Sequence, residues 1–442
     1  MKSAAVADDL TPVADRWKAA RSDQASMDEV HVVTCFLRSG VDVLLLKRSE
    51  RVGSYRGRWG APAGHAEGRP DEQAWREIAE ETGLADACER VRVGDPFDVV
   101  DEDRGTRWVV HPYLFDCARR DVEPNEETTE WAWAQPTAIR DRETVPDLWR
   151  SWRAVAPTVE SVADDDTHGS AYVSLRAVEV LRDAAAEGAG RARLEALARD
   201  LLDAKPGMAA VRNRVNRVLS EAAGGKADAR AVAERTLDAA VDADGRAADR
   251  ARDLVAGERV VTLSRSGTVL DALTGEPGPA SVVVAESRPA CEGVGVAEAL
   301  ADAGVDVALT TDANLPGVVA GADVVLVGAD TVLPDGRVLN KVGTRAAALA
   351  AEREDAACYA VCARDKVSPN ADVHVESGDS AAVYDGERDV AVENPLFDVA
   401  PADCVTGVVT EDGVLDATAV GEVAGAFRSL AAWQDEQDDA QE

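Results

Sequence analysis

Lysine is the scarcest charge in this chain, standing only at Lys2, Lys18, Lys47, Lys205, Lys226, Lys341 and Lys366. Arginine supplies nearly all the positive charge, and 48 basic residues against 82 acidic ones leave a formal net charge of −34. A field of that sign repels phosphate and argues against non-specific binding to nucleic acid or an anionic membrane. Little lysine beside abundant Ala, Val, Asp and Glu fits a high-salt cytoplasm, where surface charge is strongly screened. In such a composition an acidic cluster is background and carries little meaning alone. Long apolar runs are missing too, so no segment is expected to span a bilayer. The opening MKSAAVADDLTPVADRW has no apolar signal core, and a cytoplasmic protein is expected. The seven cysteines lack paired spacing except Cys358 and Cys362, which would share one face of a strand as reduced core thiols. No internal repeat is evident.

At 442 residues the chain is too long for one ordinary core. Residues 1 to about 27 are polar and acidic, expected as a helix or loose arm. From 28 to 156 the pattern is mixed: HVVTCFLRSGVDVLLLKRS reads as two strands about a turn, and RWVVHPYLFDCA as another. Residues 157–170 lack periodicity and read as a linker. Residues 171–256 carry Ala, Leu, Glu and Arg at helical spacing, expected as a helical subdomain. From 257 to 430, short β-branched runs (RVVTLS, SVVVAES, DVVLVGAD, ACYAVCA) alternate with Ala-rich helical ones. That alternation predicts an α/β domain with a parallel sheet covered on both faces. The polar residues closing those runs, Ser264, Glu286, Arg288 and Asp330 among them, fall where such sheets bind ligands.

One stretch, residues 64–84, GHAEGRPDEQAWREIAEETGL, concentrates carboxylates on a segment that ends at Gly83. Glu77, Glu80 and Glu81 stand at i, i+3 and i+4, so on a helix they share a face and repel unless something neutralises them. A hard divalent cation such as Mg²⁺ would do so; a screened acidic surface is the alternative. With the preceding Trp59-Gly60-Ala61-Pro62-Ala63-Gly64, the stretch resembles the Nudix family, whose signature ends R-E-U-x-E-E-x-G-U as residues 76–84 do here. HPYLFDC and NEETTEWAWAQP are similar to that family's closing strands. The resemblance implies an α/β/α sandwich with a mixed sheet and a Mg²⁺- or Mn²⁺-dependent hydrolase. Its substrate would be a nucleoside diphosphate linked to another moiety, ADP-ribose-like for instance. By matching position, Glu77, Glu80 and Glu81 would ligate the metal, and Arg76 would orient them by hydrogen bonding. The glutamate expected eight positions before Arg76 falls on Gly68, because the loop is two residues short; Glu67 or Asp71 is a substitute. The general base is one of the helix glutamates or Glu127. Trp131 and Trp133 share a strand face for core packing or for stacking on a base, and His65 and His111 are expected to be structural or solvated.

The second half carries THGSA, GMAAVRNRV, VVTLSRSGTVLDAL, VVVAESRPACEG, VGADTVLPDGRVLNKVGT and NPLFDVAP in order. These resemble the initiation factor 2B alpha/beta/delta group, which includes isomerases of ribose-1,5-bisphosphate and methylthioribose-1-phosphate. The resemblance implies a helical subdomain followed by a Rossmann-like sheet, and a module that forms homo-oligomers. The isomerases use a cysteine and an aspartate. Asp330 matches the aspartate, but Ser264 stands at the cysteine position, and a serine hydroxyl is a far poorer proton donor. Isomerase activity is therefore not expected, and Ser264 is similar to the regulatory members. Arg288, Asn340 and Lys341 remain as phosphate donors with Asp330 beside them. The alternatives are a helix cap for Asn340 and Asp330, a solvated Lys341, and a Glu286–Arg288 pair. The expected ligands are a nucleotide-type substrate and a sugar phosphate.

Overall fold

A computed structural model describes residues 27–223, 228–373, 375 and 377–440; the expected N-terminal arm lies outside them. The chain divides into two compact units, Met1–Ala156 and Pro157–Glu442.

The first unit is built on a mixed sheet. Strands β1 (Asp28–Ser39) and β2 (Asp42–Arg48) are joined at Gly40, whose φ of 65° suits glycine. They are followed by β3 (Trp59–Gly60), β4 (Ala63–His65), β5 (Cys88–Val93), β6 (Phe97–Asp101), β7 (Thr106–Cys117) and β8 (Thr128–Ala134). The central order is β3-β2-β1-β7-β5, with β4 on β1, β6 on β7 and β8 on β2. Only β1 and β7 run parallel, and Arg38 closes that pair with a bidentate grip on Asp116 at 2.6 and 2.9 Å. Alternation along the strands sends Cys35, Leu37, Leu44 and Leu46 to one face. It sends Phe36, Val43 and Leu45 to the other. The first face is covered by helix α1 (Pro70–Thr82) through Ala74 and Ile78. The second is covered by α2 (Leu148–Arg153) through Leu148 and the fully buried Trp152. Two apolar faces and two amphipathic helices make an α/β/α sandwich. Cys88 and Cys117 face each other across β5 and β7 and are joined by a disulfide, a pairing that only the strand register brings about.

In the second unit, residues 157–170 depart from the expected featureless linker. They contain a helix, Val159–Ala163, capped reciprocally by Thr158 and Ser161, and Lys205 donates to Asp165 O at 2.9 Å. Five residues are too few to show a helical period, which is why the sequence reading missed it. Four helices follow: α3 (Ser170–Ala186), α4 (Arg191–Ala204), α5 (Ala209–Glu221) and α6 (Ala229–Val255). The sheet behind them comprises β9 (Arg259–Leu263), β10 (Ser281–Ala285), β11 (Val307–Thr310), β12 (Val324–Gly328), β15 (Ala357–Val361), β17 (Gly407–Thr410) and β18 (Gly413–Leu415). Their order is β11-β10-β9-β12-β15-β17-β18, parallel except for the final hairpin. Val261 and Val325 pack into one core and Val260 and Leu326 into another, so both faces are covered. This is the physical origin of the unbroken apolar runs. A small sheet of β13 (Thr331–Val332), β14 (Val338–Lys341) and β16 (Phe397–Ala400) stands beside it. Cys358 and Cys362 are buried and free. The unit continues past residue 430: Trp433 is buried and donates to Asn216 Oδ1 at 3.1 Å. Among the described residues no helix is long and apolar enough to cross a membrane.

Candidate functional site

Helix α1 starts with Pro70 in its first turn and stops at Gly83, whose φ of 69° returns its N–H to Ala79 O. Its three glutamates do not share one environment. Glu80 is exposed, Glu77 half-buried, and Glu81 only 6% exposed on the side that also buries Ile78. Glu77 and Glu80 line a cavity of about 790 Å³ that Glu127 also lines. Glu81 sits behind them and accepts a hydrogen bond from Ala63 N–H at 3.2 Å. Burial, then the charge of Glu77, pushes Glu81 up to about 8. Burial also raises Glu77, with Glu80 and Glu127 adding to the effect against the hydrogen bond from Gln73. Arg76 near Glu77 and Arg48 near Glu81 pull the other way without offsetting the rise.

The donors are hard oxygens at one cavity wall, the chemistry a divalent cation requires. Among the described residues, however, no three His, Cys, Asp or Glu side chains are gathered tightly enough to hold a metal ion. Glu77 is held by Gln73 Nε2, and Gln73 Oε1 in turn accepts from Arg76. Arg76 therefore acts on Glu77 through Gln73, a residue the sequence reading missed. Gly64, already part of the motif, gives Glu77 its room: a Cβ there would collide with Glu77 Oε1. Neither proposed substitute for the missing glutamate borders the cavity. Glu67 is exposed and pairs with Arg76 at 3.9 Å, and Asp71 accepts from the Tyr113 hydroxyl at 2.8 Å.

Elsewhere the cavity is lined by Arg48, Tyr55, His65, Arg104 and Trp108. The Tyr55 and Trp108 rings lie 6.3 Å apart, and Trp108 Nε1 is buried without a hydrogen-bond partner. The Tyr55 hydroxyl donates to Asp101 at 2.6 Å. Trp131 and Trp133 lie elsewhere: Trp131 is 43% exposed, and Trp133 packs on the core and donates to Arg120 O at 3.0 Å. His65, expected to be structural or solvated, is exposed at the cavity, whereas His111 pairs with His31 at 3.0 Å.

In the second unit Ser264, Arg288 and Asp330 follow the carboxyl ends of β9, β10 and β12, while Asn340 and Lys341 lie on β14. Ser264 follows β9 with φ of 61° and donates to Glu292 Oε2 at 2.7 Å. Lys341 Nζ reaches Glu292 Oε1 at 3.2 Å, so one glutamate joins the two. Sequence reasoning passed over Glu292, whose only signal was its place just after the Arg288 turn. Burial raises the Asp330 carboxyl above its usual range, against the pull of Lys366 and Lys341. Asp330 caps no helix; its N–H donates to Leu339 O at 3.0 Å. Asn340 lies on β14, and its Nδ2 donates to Thr344 Oγ1 at 2.9 Å. Arg288 is exposed and reaches Cys291 Sγ at 3.5 Å, while Glu286 contributes only its charge nearby.

Residues 166–417, more than half of the chain, match the family described as the Initiation factor 2 subunit family. The chain belongs to that family. Residues 28–154 match the NUDIX domain, so this family member carries a NUDIX domain ahead of the family's own module. It is similar to the ribose 1,5-bisphosphate isomerase of Haloferax volcanii, at 30% identity over 59% of this chain and 88% of that one. It is similar also to the methylthioribose-1-phosphate isomerase of Geobacillus kaustophilus, at 32% identity over 36% of this chain and 52% of that one. Among solved structures, the translation initiation factor eIF-2B of Pyrococcus horikoshii superposes with a TM-score of 0.51. That match has 25% identity and covers 58% of this chain and 94% of the other. The two most similar of these named relatives are isomerases, so the expectation that the second module lacks isomerase activity gains no support from them.

Proposed function

We propose that the N-terminal domain hydrolyses the diphosphate of a nucleoside diphosphate linked to another moiety, and that the second module binds a sugar phosphate. The observation that carries the first part is the pair Glu77, half-buried on the wall of a large cavity, and Glu81, buried behind it, both raised above the usual carboxylate range. Glu77, Glu80 and Glu81 would hold Mg²⁺ or Mn²⁺, which when bound offsets diphosphate charge and makes a water nucleophilic. Gln73, positioned by Arg76, fixes Glu77, and the Ala63 N–H fixes Glu81. Glu127, which lines the same cavity, would accept the attacking water's proton. The water oxygen bonds to one phosphorus as the bridging P–O bond breaks, and the bridging oxygen leaves on the other phosphate. Arg48 supplies positive charge near Glu81 for the phosphates, and Tyr55 and Trp108 offer flat faces to a base. An ADP-ribose-like substrate would release a ribose phosphate, the class of ligand suited to the second module. Turnover of nucleoside diphosphate sugars, dinucleotides and nucleoside triphosphates with Mg²⁺ or Mn²⁺ in molar salt tests this reading. Two phosphorylated products are expected from at least one of them, and turnover of none contradicts it.

For the second module, Arg288, Asn340 and Lys341 are the phosphate donors, with Asp330 and Ser264 beside them. A regulatory role, in sensing metabolites or in translation initiation, fits the serine at position 264. An isomerase reading is favoured by the resemblance to isomerases and by the raised Asp330 carboxyl beside Lys341. Conversion of ribose-1,5-bisphosphate by the wild type, lost in Asp330→Asn, would decide for the isomerase. Oligomers of the second module are expected on the same family grounds.

A further inference from the structure

The second unit has another cavity, of about 290 Å³, which the sugar-phosphate reading does not use. It lies where α5 and α6 meet the loops after β15 and β17. In a chain with net charge −34, its walls hold four arginines, Arg217, Arg235, Arg246 and Arg364, balanced by four carboxylates.

Two of the arginines are committed. Arg217 grips Asp365 with both terminal nitrogens at 2.6 and 3.2 Å, and against the effect of burial Arg214 and Arg217 hold that carboxyl below its usual range. Arg364 donates through Nη1 to Asp412 at 2.9 Å, and its backbone N–H donates to Glu411 at 2.8 Å. Its Nε is left buried with no hydrogen-bond partner. Such an N–H is costly unless something supplies an acceptor. The other two arginines, Arg235 and Arg246, form no ion pair among the described residues. They are eleven residues apart on α6, three helical turns, so they share a face about 16 Å apart along the axis. Ala239 lies between them on the cavity wall and leaves room for their long side chains to converge.

We propose that this cleft binds a phosphate monoester, the dianion bridging Arg235 and Arg246 and accepting from Arg364 Nε. Glu221 and Glu411 are then placed to accept from hydroxyl groups of a sugar. Guanidinium forks suit a phosphate, and the volume admits a sugar phosphate and little more. The turn Arg364–Lys366 joins the cleft to the sheet-end site: Lys366 Nζ donates to Ala329 O at 2.7 Å, beside Asp330. Occupancy of the cleft therefore bears on the residue that holds the charge balance of Asp330.

The test is calorimetric titration of the full chain with ribose 5-phosphate, with inorganic phosphate as a second probe. It is run in the Lys341→Ala background so that the sheet-end site is weakened. Residual binding is expected in Lys341→Ala, at least tenfold weaker once Arg235→Gln and Arg246→Gln are added. Both arginines are exposed, and an unchanged melting temperature will show that the added substitutions leave the fold intact. Absence of binding in Lys341→Ala, or residual binding indifferent to the two arginine substitutions, overturns the proposal. Neither outcome bears on hydrolysis by the N-terminal domain.

Discussion

The carboxylates of the two units are treated in opposite ways. In the second unit Asp365 lies between Arg214 and Arg217, which hold its carboxyl below the usual range, and Glu292 bridges Ser264 and Lys341. In the first, half-buried Glu77 and buried Glu81 lie side by side, hydrogen-bonded by Gln73 and the Ala63 N–H with Arg76 and Arg48 only nearby, and both are raised. A deficit of positive charge of that kind suits a divalent cation, while a paired cluster such as Asp365 is architecture.

The largest expected effect breaks the deficit. Glu77→Gln and Glu81→Gln should each lower hydrolysis about a thousandfold, because roughly 4 kcal/mol of transition-state stabilisation is lost with the metal. Asp365→Asn, in the paired cluster, should leave hydrolysis unchanged and lower the melting temperature instead. Next is pH. The folded pKa of Glu81 is raised, so the folded state holds a proton that the unfolded chain releases. Metal-free stability should therefore fall as pH rises from about 4.5 to about 8, by on the order of 3–5 kcal/mol relative to Glu81→Gln. Saturating Mg²⁺ should flatten that difference; denaturant titrations at pH 5 and 8 will measure it.

A smaller effect sharpens the comparison within the cavity wall. Gln73→Ala should cost about tenfold in kcat, as should Arg76→Ala, and the double variant should cost no more than either, since the two act in series on Glu77. Steady-state kinetics on the three variants checks this. Smallest is the base-binding end: Trp108→Ala should raise KM several-fold, as one stacking contact is worth about 1 kcal/mol. Trp131→Ala, on a strand position outside the cavity, should leave KM unchanged.

The sequence carried the second half of α1, since the i, i+3, i+4 glutamates and Gly83 are local signals, but not its start at Pro70, which lies in the stretch read as a shortened loop. It also carried the parallel sheet, because strands buried on both faces must be apolar throughout. What it could not carry depends on register and distance. Trp108 and Tyr55 reach one cavity from separate strands and loops, whereas the adjacent Trp131 and Trp133 drew attention because their spacing is local. Cys88 meets Cys117 only through the pairing of β5 with β7. The different burial of Glu77, Glu80 and Glu81 follows from which edge of α1 meets the sheet, and helical spacing alone treats the three alike.

Mn²⁺ binding followed by electron paramagnetic resonance tests the central claim most directly, since it needs no knowledge of the substrate. Tight binding by the wild type, abolished in the Glu77→Gln/Glu81→Gln double variant, is the result expected. Equal Mn²⁺ affinity in the two proteins would contradict the account.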